Sequence, residues 1–189
     1  MKIILASQSP RRRQLLDEGG YEVLVRPADI EEKLQADLPL DDALEHLAYE
    51  KAKAVGHGPE DVVLAADTVV VFDDEILGKP HSAPEACDCL SRLSGETHQV
   101  KTGVCILTGQ GAYTFTETTQ VHFKDLDADM IMDYVATGSP MDKAGAYGIQ
   151  DSHFVDWISG SYTNVVGLPM EKVNEILQLL VKGTCTMPV

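Results

Sequence analysis

The sequence predicts an α/β fold built on a mixed sheet, and three observations predict it. Short apolar runs alternate with amphipathic helical stretches along the chain. One run, residues 62–72 (VVLAADTVVVF), is apolar on both alternating faces, as expected of a central strand covered on both sides. Two further runs, 98–108 and 113–123, flank the turn Thr108-Gly109-Gln110-Gly111 and read as paired strands. With 189 residues, 44% of them hydrophobic, the chain is long enough for one well-cored domain.

The elements follow in order. Residues 2–6 (KIILA) form a short buried strand by length and β-branched content. Ser9 is a good N-cap and Pro10 a good first helical residue, so a helix runs from Pro10 to about Glu18 and stops at Gly19 and Gly20. Residues 21–25 read as a second strand. Residues 41–55 form an amphipathic helix with Leu44, Leu47, Ala48 and Val55 on one stripe. Beyond the central strand come a short helix at 84–93, the strand pair, a helix at 127–136 and a long loop through Gln150. A strand region at 154–166 precedes a closing helix at 169–181, and residues 183–189 read as a loose tail.

Composition narrows the partners. Fifteen Lys and Arg against thirty Asp and Glu give a formal net charge of −15, which repels nucleic acid and anionic membranes. A protein so acidic can handle phosphates only through basic residues gathered locally. Cys87, Cys89, Cys105 and Cys185 show no metal or redox spacing and read as reduced thiols. The N-terminal apolar run is too short for a secretory segment and no stretch is long enough to span a bilayer, so a cytoplasmic location is expected.

Several residues point to chemistry. Ser7-Gln8-Ser9-Pro10-Arg11-Arg12-Arg13 places three arginines in a first helical turn, where the helix dipole favours anions. A docked phosphate removes that conflict, because free N–H groups, hydroxyls and guanidinium forks would converge on it. Asp67 interrupts the apolar central strand, and a carboxylate there requires a cation, a metal or a cleft. Lys51 continues the apolar stripe of its helix; it either snorkels to solvent or supplies a point charge to a phosphate. Lys79, in Gly78-Lys79-Pro80, is held extended by the proline. The loop from Asp142 to Gln150 (DKAGAYGIQ) has small residues that permit close approach and an amide suited to reading a base edge. Glu31 and Glu32 are adjacent carboxylates, either of which suits a hard divalent cation. GxxxxGK[ST], GxGxxG and GxSxG patterns do not occur, and the six histidines lack zinc spacing.

In this order the segments resemble the Maf family of nucleotide pyrophosphatases. The resemblance rests on Ser7-Gln8-Ser9-Pro10-Arg11-Arg12, Glu50-Lys51-Ala52, Ala66-Asp67-Thr68-Val69-Val70, Gly78-Lys79-Pro80, residues 94–100 (SGETHQV) and Asp142 through Gln150. The ending in Gln150 resembles the branch acting on dTTP and UTP; a sister branch acting on 7-methyl-GTP tends to carry glutamate there. The resemblance implies one two-lobed domain over residues 1–182. Its fold would be a long mixed sheet split by a cleft, with helices on both sides, similar to inosine triphosphate pyrophosphatases. It implies cleavage of a nucleoside triphosphate at the α–β bond, giving the monophosphate and pyrophosphate. By the same resemblance Asp67 is the proton acceptor, and Arg11, Thr68 and Gln150 set base preference. Ser7, Arg12, Lys51 and Lys79 contact phosphates, while Glu32 and Asp67 hold a divalent cation, Mg²⁺ or Mn²⁺. A homodimer is implied, with a role in nucleotide-pool cleansing or in arrest of cell division. The competing readings are a 7-methyl-GTP or broad modified-nucleotide hydrolase, and a nucleotide-binding regulator of division without turnover.

Overall fold

A computed structural model describes residues 1–56 and 58–181; Cys185 and the expected tail at 183–189 lie outside the described residues. Among those described, seven strands form: β1 (Lys2–Leu5), β2 (Glu22–Val25), β3 (Val63–Phe72), β4 (Glu75–Leu77), β5 (Thr97–Thr108), β6 (Gly111–Phe123) and β7 (Val155–Ser159). Six helices accompany them: α1 (Pro10–Glu18), α2 (Leu40–Ala54), α3 (Ala83–Leu93), α4 (Ala128–Ala136), α5 (Tyr162–Val166) and α6 (Met170–Val181). The strands hydrogen-bond in the order β2-β1-β3-β5-β6-β7, and β4 pairs with β3. β1 runs parallel to β2 and β3, whereas β3–β4 and β6–β7 are antiparallel, so the sheet is mixed as the alternating pattern predicts. No helix among the described residues is long and apolar enough to cross a membrane.

Two elements differ from the sequence reading. β4 was not expected: it returns along β3 through Asp73 and Asp74, which take φ 49° and 60°. Two left-handed residues make the tight turn whose twist matches a hairpin, and aspartate tolerates that conformation better than most side chains. The region 154–166 is not one strand, since β7 ends at Ser159 and α5 follows. Gly160, at φ 128°, takes a conformation that L side chains rarely adopt, and the Ser161 hydroxyl accepts from the Asn164 N–H at 3.0 Å to start the helix.

Contacts divide the chain into two compact units. Among the described residues, the first comprises Met1–Asp67, Thr102–Glu117 and the segment 167–181. One cluster of its core joins Ile4, Ala6, Ala48, Ala52, Val63, Ala65, Cys105 and Leu107, so alanines from α2 meet alanines from β3 and the end of β1. Small residues on both faces let α2 lie close. Gly103 of β5 marks a close approach: a Cβ added there would sit 2.5 Å from the carbonyl carbon of Leu44.

The second unit comprises Thr68–Lys101 and Thr118–Val166. Its core gathers Val70, Leu77, Leu90, Val100, Val121, Phe123, Tyr134 and Phe154. His98 is buried there, with its ring edge-on to Phe123 and its Nε2 2.8 Å from the Tyr147 hydroxyl. Burial, with a smaller push from His122, lowers its pKa to about 4, so it packs as a neutral ring.

Gly103→Ala should destabilise the protein by about 3 kcal/mol, the upper end for overpacking, because the obstructing atoms are helix backbone that cannot rotate away. Chemical denaturation measures this, and a variant within about 0.5 kcal/mol of wild type would contradict the close approach of α2.

Candidate active site

The first unit brings five of the sequence-nominated residues together. β1 delivers the chain to Ser7, and α1 begins at Pro10 with Ser9 capping it; the Ser9 hydroxyl accepts from the Arg12 N–H at 3.4 Å. The Ser7 hydroxyl oxygen accepts from the Ser9 N–H at 3.2 Å and from the Arg12 guanidinium at 3.1 Å. The other edge of that guanidinium donates through Nε to the Gly167 carbonyl at 2.8 Å. Arg12 is thus held at both sides, and its direction is set before any anion arrives. Burial lowers its pKa, Asp67 and Glu32 oppose that shift, and Arg11 adds to it. A guanidinium stays charged throughout. Arg13 is different: it pairs with Asp17 one turn along its own helix at 3.4 Å and faces solvent.

Lys51 does not snorkel. It is 4% exposed, and its Nζ donates to Asp67 Oδ1 at 2.6 Å and lies 2.9 Å from Glu32 Oε1. The break in the apolar stripe of α2 therefore marks a buried cation aimed at the carboxylate that interrupts β3. Glu31 turns away to pair with the exposed Lys33, so Glu32 is the member of the acidic pair that joins this cluster.

Two carboxylates that converge on one ammonium are shaped for a cation, and their hard oxygens suit Mg²⁺ or Mn²⁺. Among the described residues no group of three or more His, Cys, Asp or Glu is placed to hold a metal. Glu32 and Asp67 would therefore supply only part of a coordination shell. Mg²⁺ commonly accepts such an arrangement, taking one or two carboxylates and completing its shell with water and phosphate oxygens.

The second unit carries Thr68, Lys79 and Gln150. Thr68 is half-buried on β3; Lys79 is exposed and Pro80 after it is buried. The Asp142–Gln150 loop contains 3₁₀ turns at Ser139–Asp142 and Ala144–Ala146. The Gly145 N–H donates to the Gly78 carbonyl at 3.1 Å, which joins this loop to the Gly78-Lys79-Pro80 segment. Gly145 has φ 68°, and a Cβ there would lie 2.7 Å from Val70, so both its conformation and its contact require glycine. Gln150 stands exposed near the end of the loop.

Sequence reasoning missed the Gly167 carbonyl as the partner of Arg12, since a backbone acceptor leaves no side-chain signature. It read the Gly167–Pro169 segment only as a helix entry.

Residues 2–180 match the family described as Maf-like protein. The chain belongs to that family. It is 49% identical over 182 residues to a dTTP/UTP pyrophosphatase of Geobacillus sp. (strain WCH70), covering 94% of this chain and 98% of the relative. A dTTP/UTP pyrophosphatase of Pyrococcus abyssi is 47% identical over 180 residues, covering 94% of this chain and 95% of that one. Among solved structures, the Ham1 protein of Staphylococcus aureus has a TM-score of 0.51 at 15% identity, covering 98% of this chain and 100% of its own. A HAM1 protein from Coxiella burnetii has a TM-score of 0.52 at 14% identity, covering 94% and 98%. Those two likenesses concern the fold: this Maf-like chain shares its mixed α/β architecture with Ham1 proteins.

Lys51→Met should destabilise the chain by about 3 kcal/mol, because it leaves the largely buried Asp67 carboxylate without its hydrogen-bonded counter-ion. Adding Asp67→Asn in the same chain should recover at least ~1 kcal/mol of that loss, a coupling measurable by a double-mutant cycle in urea. Strict additivity would mean that the two side chains do not interact.

Proposed function

We propose that this Maf-like protein hydrolyses dTTP and UTP at the α–β bond, releasing the nucleoside monophosphate and pyrophosphate. The observation that carries the proposal is the joining of Lys51, Asp67 and Glu32 in one ion cluster, in the same unit as the doubly anchored Arg12. The substrate class follows the relatives named dTTP/UTP pyrophosphatase and the Gln150 ending of the DKAGAYGIQ loop.

Phosphoryl transfer asks mainly for positioning and charge neutralisation. Arg12 presents its fork in a direction fixed by Ser7 and Gly167, a geometry suited to bidentate contact with phosphate oxygens. Lys51 supplies a compact charge. Water attacks the α-phosphorus; as the new P–O bond forms, the bond to the bridging oxygen breaks and pyrophosphate departs with that oxygen. Asp67, paired with Lys51, takes the proton that the water loses. Roles for Arg11, Thr68 and Gln150 in base preference, and for Lys79 in phosphate contact, follow the family pattern.

Charge arithmetic favours a metal as well. Arg11, Arg12 and Lys51 oppose Asp67 and Glu32, leaving one net positive charge against the roughly four negative charges of a triphosphate. Glu32 and Asp67 would hold Mg²⁺ or Mn²⁺, which supplies charge neutralisation at the phosphates and makes a bound water more acidic.

Asp67→Asn should lower kcat for dTTP by at least ~10²-fold with KM changed little, measured as pyrophosphate release. Near-wild-type turnover would remove Asp67 from the proton-accepting role, and orthophosphate as product would overturn α–β cleavage. Gln150→Glu should erode the preference for thymine and uracil, because a carboxylate loses the two N–H donors of the amide. An unaltered profile across a panel of natural and modified triphosphates would exclude Gln150 as a base reader. In chelator the wild-type rate should fall to background and return with Mg²⁺ or Mn²⁺.

A further inference from the structure

Behind the Gln150 turn lies a hydrogen-bond network that the proposed chemistry does not use. The turn runs from Gly148 to Asp151, and the Gly148 carbonyl accepts from the N–H groups of Asp151 and Ser152 at 3.3 and 3.1 Å. Tyr134, on α4, reaches both ends of it. Its hydroxyl accepts from the Gly148 N–H at 3.0 Å and donates to Asp151 Oδ1 at 2.9 Å. One phenol thus closes a four-residue turn that carries Gln150 at its third position.

The second carboxylate oxygen of Asp151 is held as well. Oδ2 accepts from the Ser139 hydroxyl at 2.5 Å and lies 3.8 Å from Lys143 Nζ. Lys143 in turn donates to the Ser139 carbonyl at 2.6 Å and to its hydroxyl at 2.8 Å, and pairs with Asp142 at 2.9 Å. This lysine belongs to the basic residues of the loop, yet its ammonium is committed to the loop itself. The packing leaves no slack: a Cβ on Gly148 would meet Asp151 Oδ1 at 2.7 Å and Lys143 Cε at 2.8 Å. Burial pushes the Tyr134 hydroxyl up to about 12, so it remains a donor over any working pH.

We propose that Tyr134, backed by Asp151, Ser139 and Lys143, is a positioning residue for Gln150 and so a determinant of pyrimidine selectivity. The inference rests on the reading of Gln150 as the base-contacting amide. An amide discriminates bases only if its donor and acceptor are fixed; on a loose turn it can adapt to a competing edge, and discrimination falls. The network fixes the backbone on both sides of Gln150 and leaves its side chain exposed.

The test compares kcat/KM for dTTP and dCTP in the full chain, by pyrophosphate release, for Tyr134→Phe, Asp151→Ala, Asp151→Asn and Gln150→Glu. Tyr134→Phe removes both hydroxyl contacts at almost constant volume and should narrow the dTTP-to-dCTP ratio about tenfold, chiefly through the KM for dTTP. Asp151→Ala should do the same. Asp151→Asn retains an acceptor for the phenol and should recover much of the ratio. Asp151→Ala also carries the test if Tyr134→Phe fails to fold. Equal losses on both nucleotides, or an unchanged ratio in Tyr134→Phe and Asp151→Ala while Gln150→Glu shifts it, would overturn the positioning role and leave the reading of Gln150 standing. An unchanged ratio in Gln150→Glu would overturn that reading and this inference with it.

Discussion

The ion cluster of Lys51, Asp67 and Glu32 is the constraint on which the rest of the first unit depends. An ammonium that is only 4% exposed is tolerable when paired and hydrogen-bonded, and costs several kcal/mol when it is not. α2 therefore has to sit where Lys51 meets β3, and the segment after β2 has to bring Glu32 to the same atom. The cluster is graded: the Asp67 side chain is 17% exposed and that of Glu32 58%. Asp67 is the inner member, hydrogen-bonded to Lys51, while Glu32 is the member that solvent and ions reach first.

The packing of small residues makes this depth accessible. Ala48 and Ala52 lie on the same helix as Lys51 and bury against Ala6, Val63 and Ala65, and Gly103 admits the backbone of α2 at Leu44. Larger side chains at those positions would lift the helix from the sheet and separate the ammonium from its carboxylates. The alanines and the glycine are thus part of the site's construction, although none of them has chemistry of its own. Arg12 is built on the same principle. The cap at Ser9, the hydroxyl of Ser7 and the carbonyl of Gly167 hold its fork before a ligand engages it, so less side-chain freedom is lost on binding.

Most of the architecture was legible because it rests on local signals. Ser9 and Pro10 mark the start of α1, and the doubly apolar run marks β3 as an interior strand. What escaped was set by tertiary contact or by unusual backbone. Two aspartates in left-handed conformation opened β4 where no Asn-Gly or Asp-Gly signal stood. Lys51 was ambiguous in sequence because a lysine on an apolar stripe usually escapes to water; its burial is decided by Asp67, sixteen residues away and on another element. Glu31 and Glu32 were indistinguishable as letters, and separate only once Lys33 takes one and Lys51 the other. The Tyr134 network was invisible for the same reason, since its members come from α4, a 3₁₀ turn and the end of the loop.

The acidity of the chain gives these few cations their meaning. With a formal charge of −15, the protein as a whole repels polyanions, and several of its bases are occupied: Arg13 by Asp17, Arg92 by Glu75, Lys143 by Ser139 and Asp142, Lys172 by Glu175. Even Lys51 spends its charge on two carboxylates. On the proposed reading, a compact anion carrying its own divalent counter-ion would escape this dilemma, since Glu32 and Asp67 would hold the metal and leave Lys51 to the phosphate. An extended polyanion offers no such exchange at a single point. The proposed reading therefore needs only a few locally placed cations, Arg12 and Lys51 among them, rather than an extended basic surface.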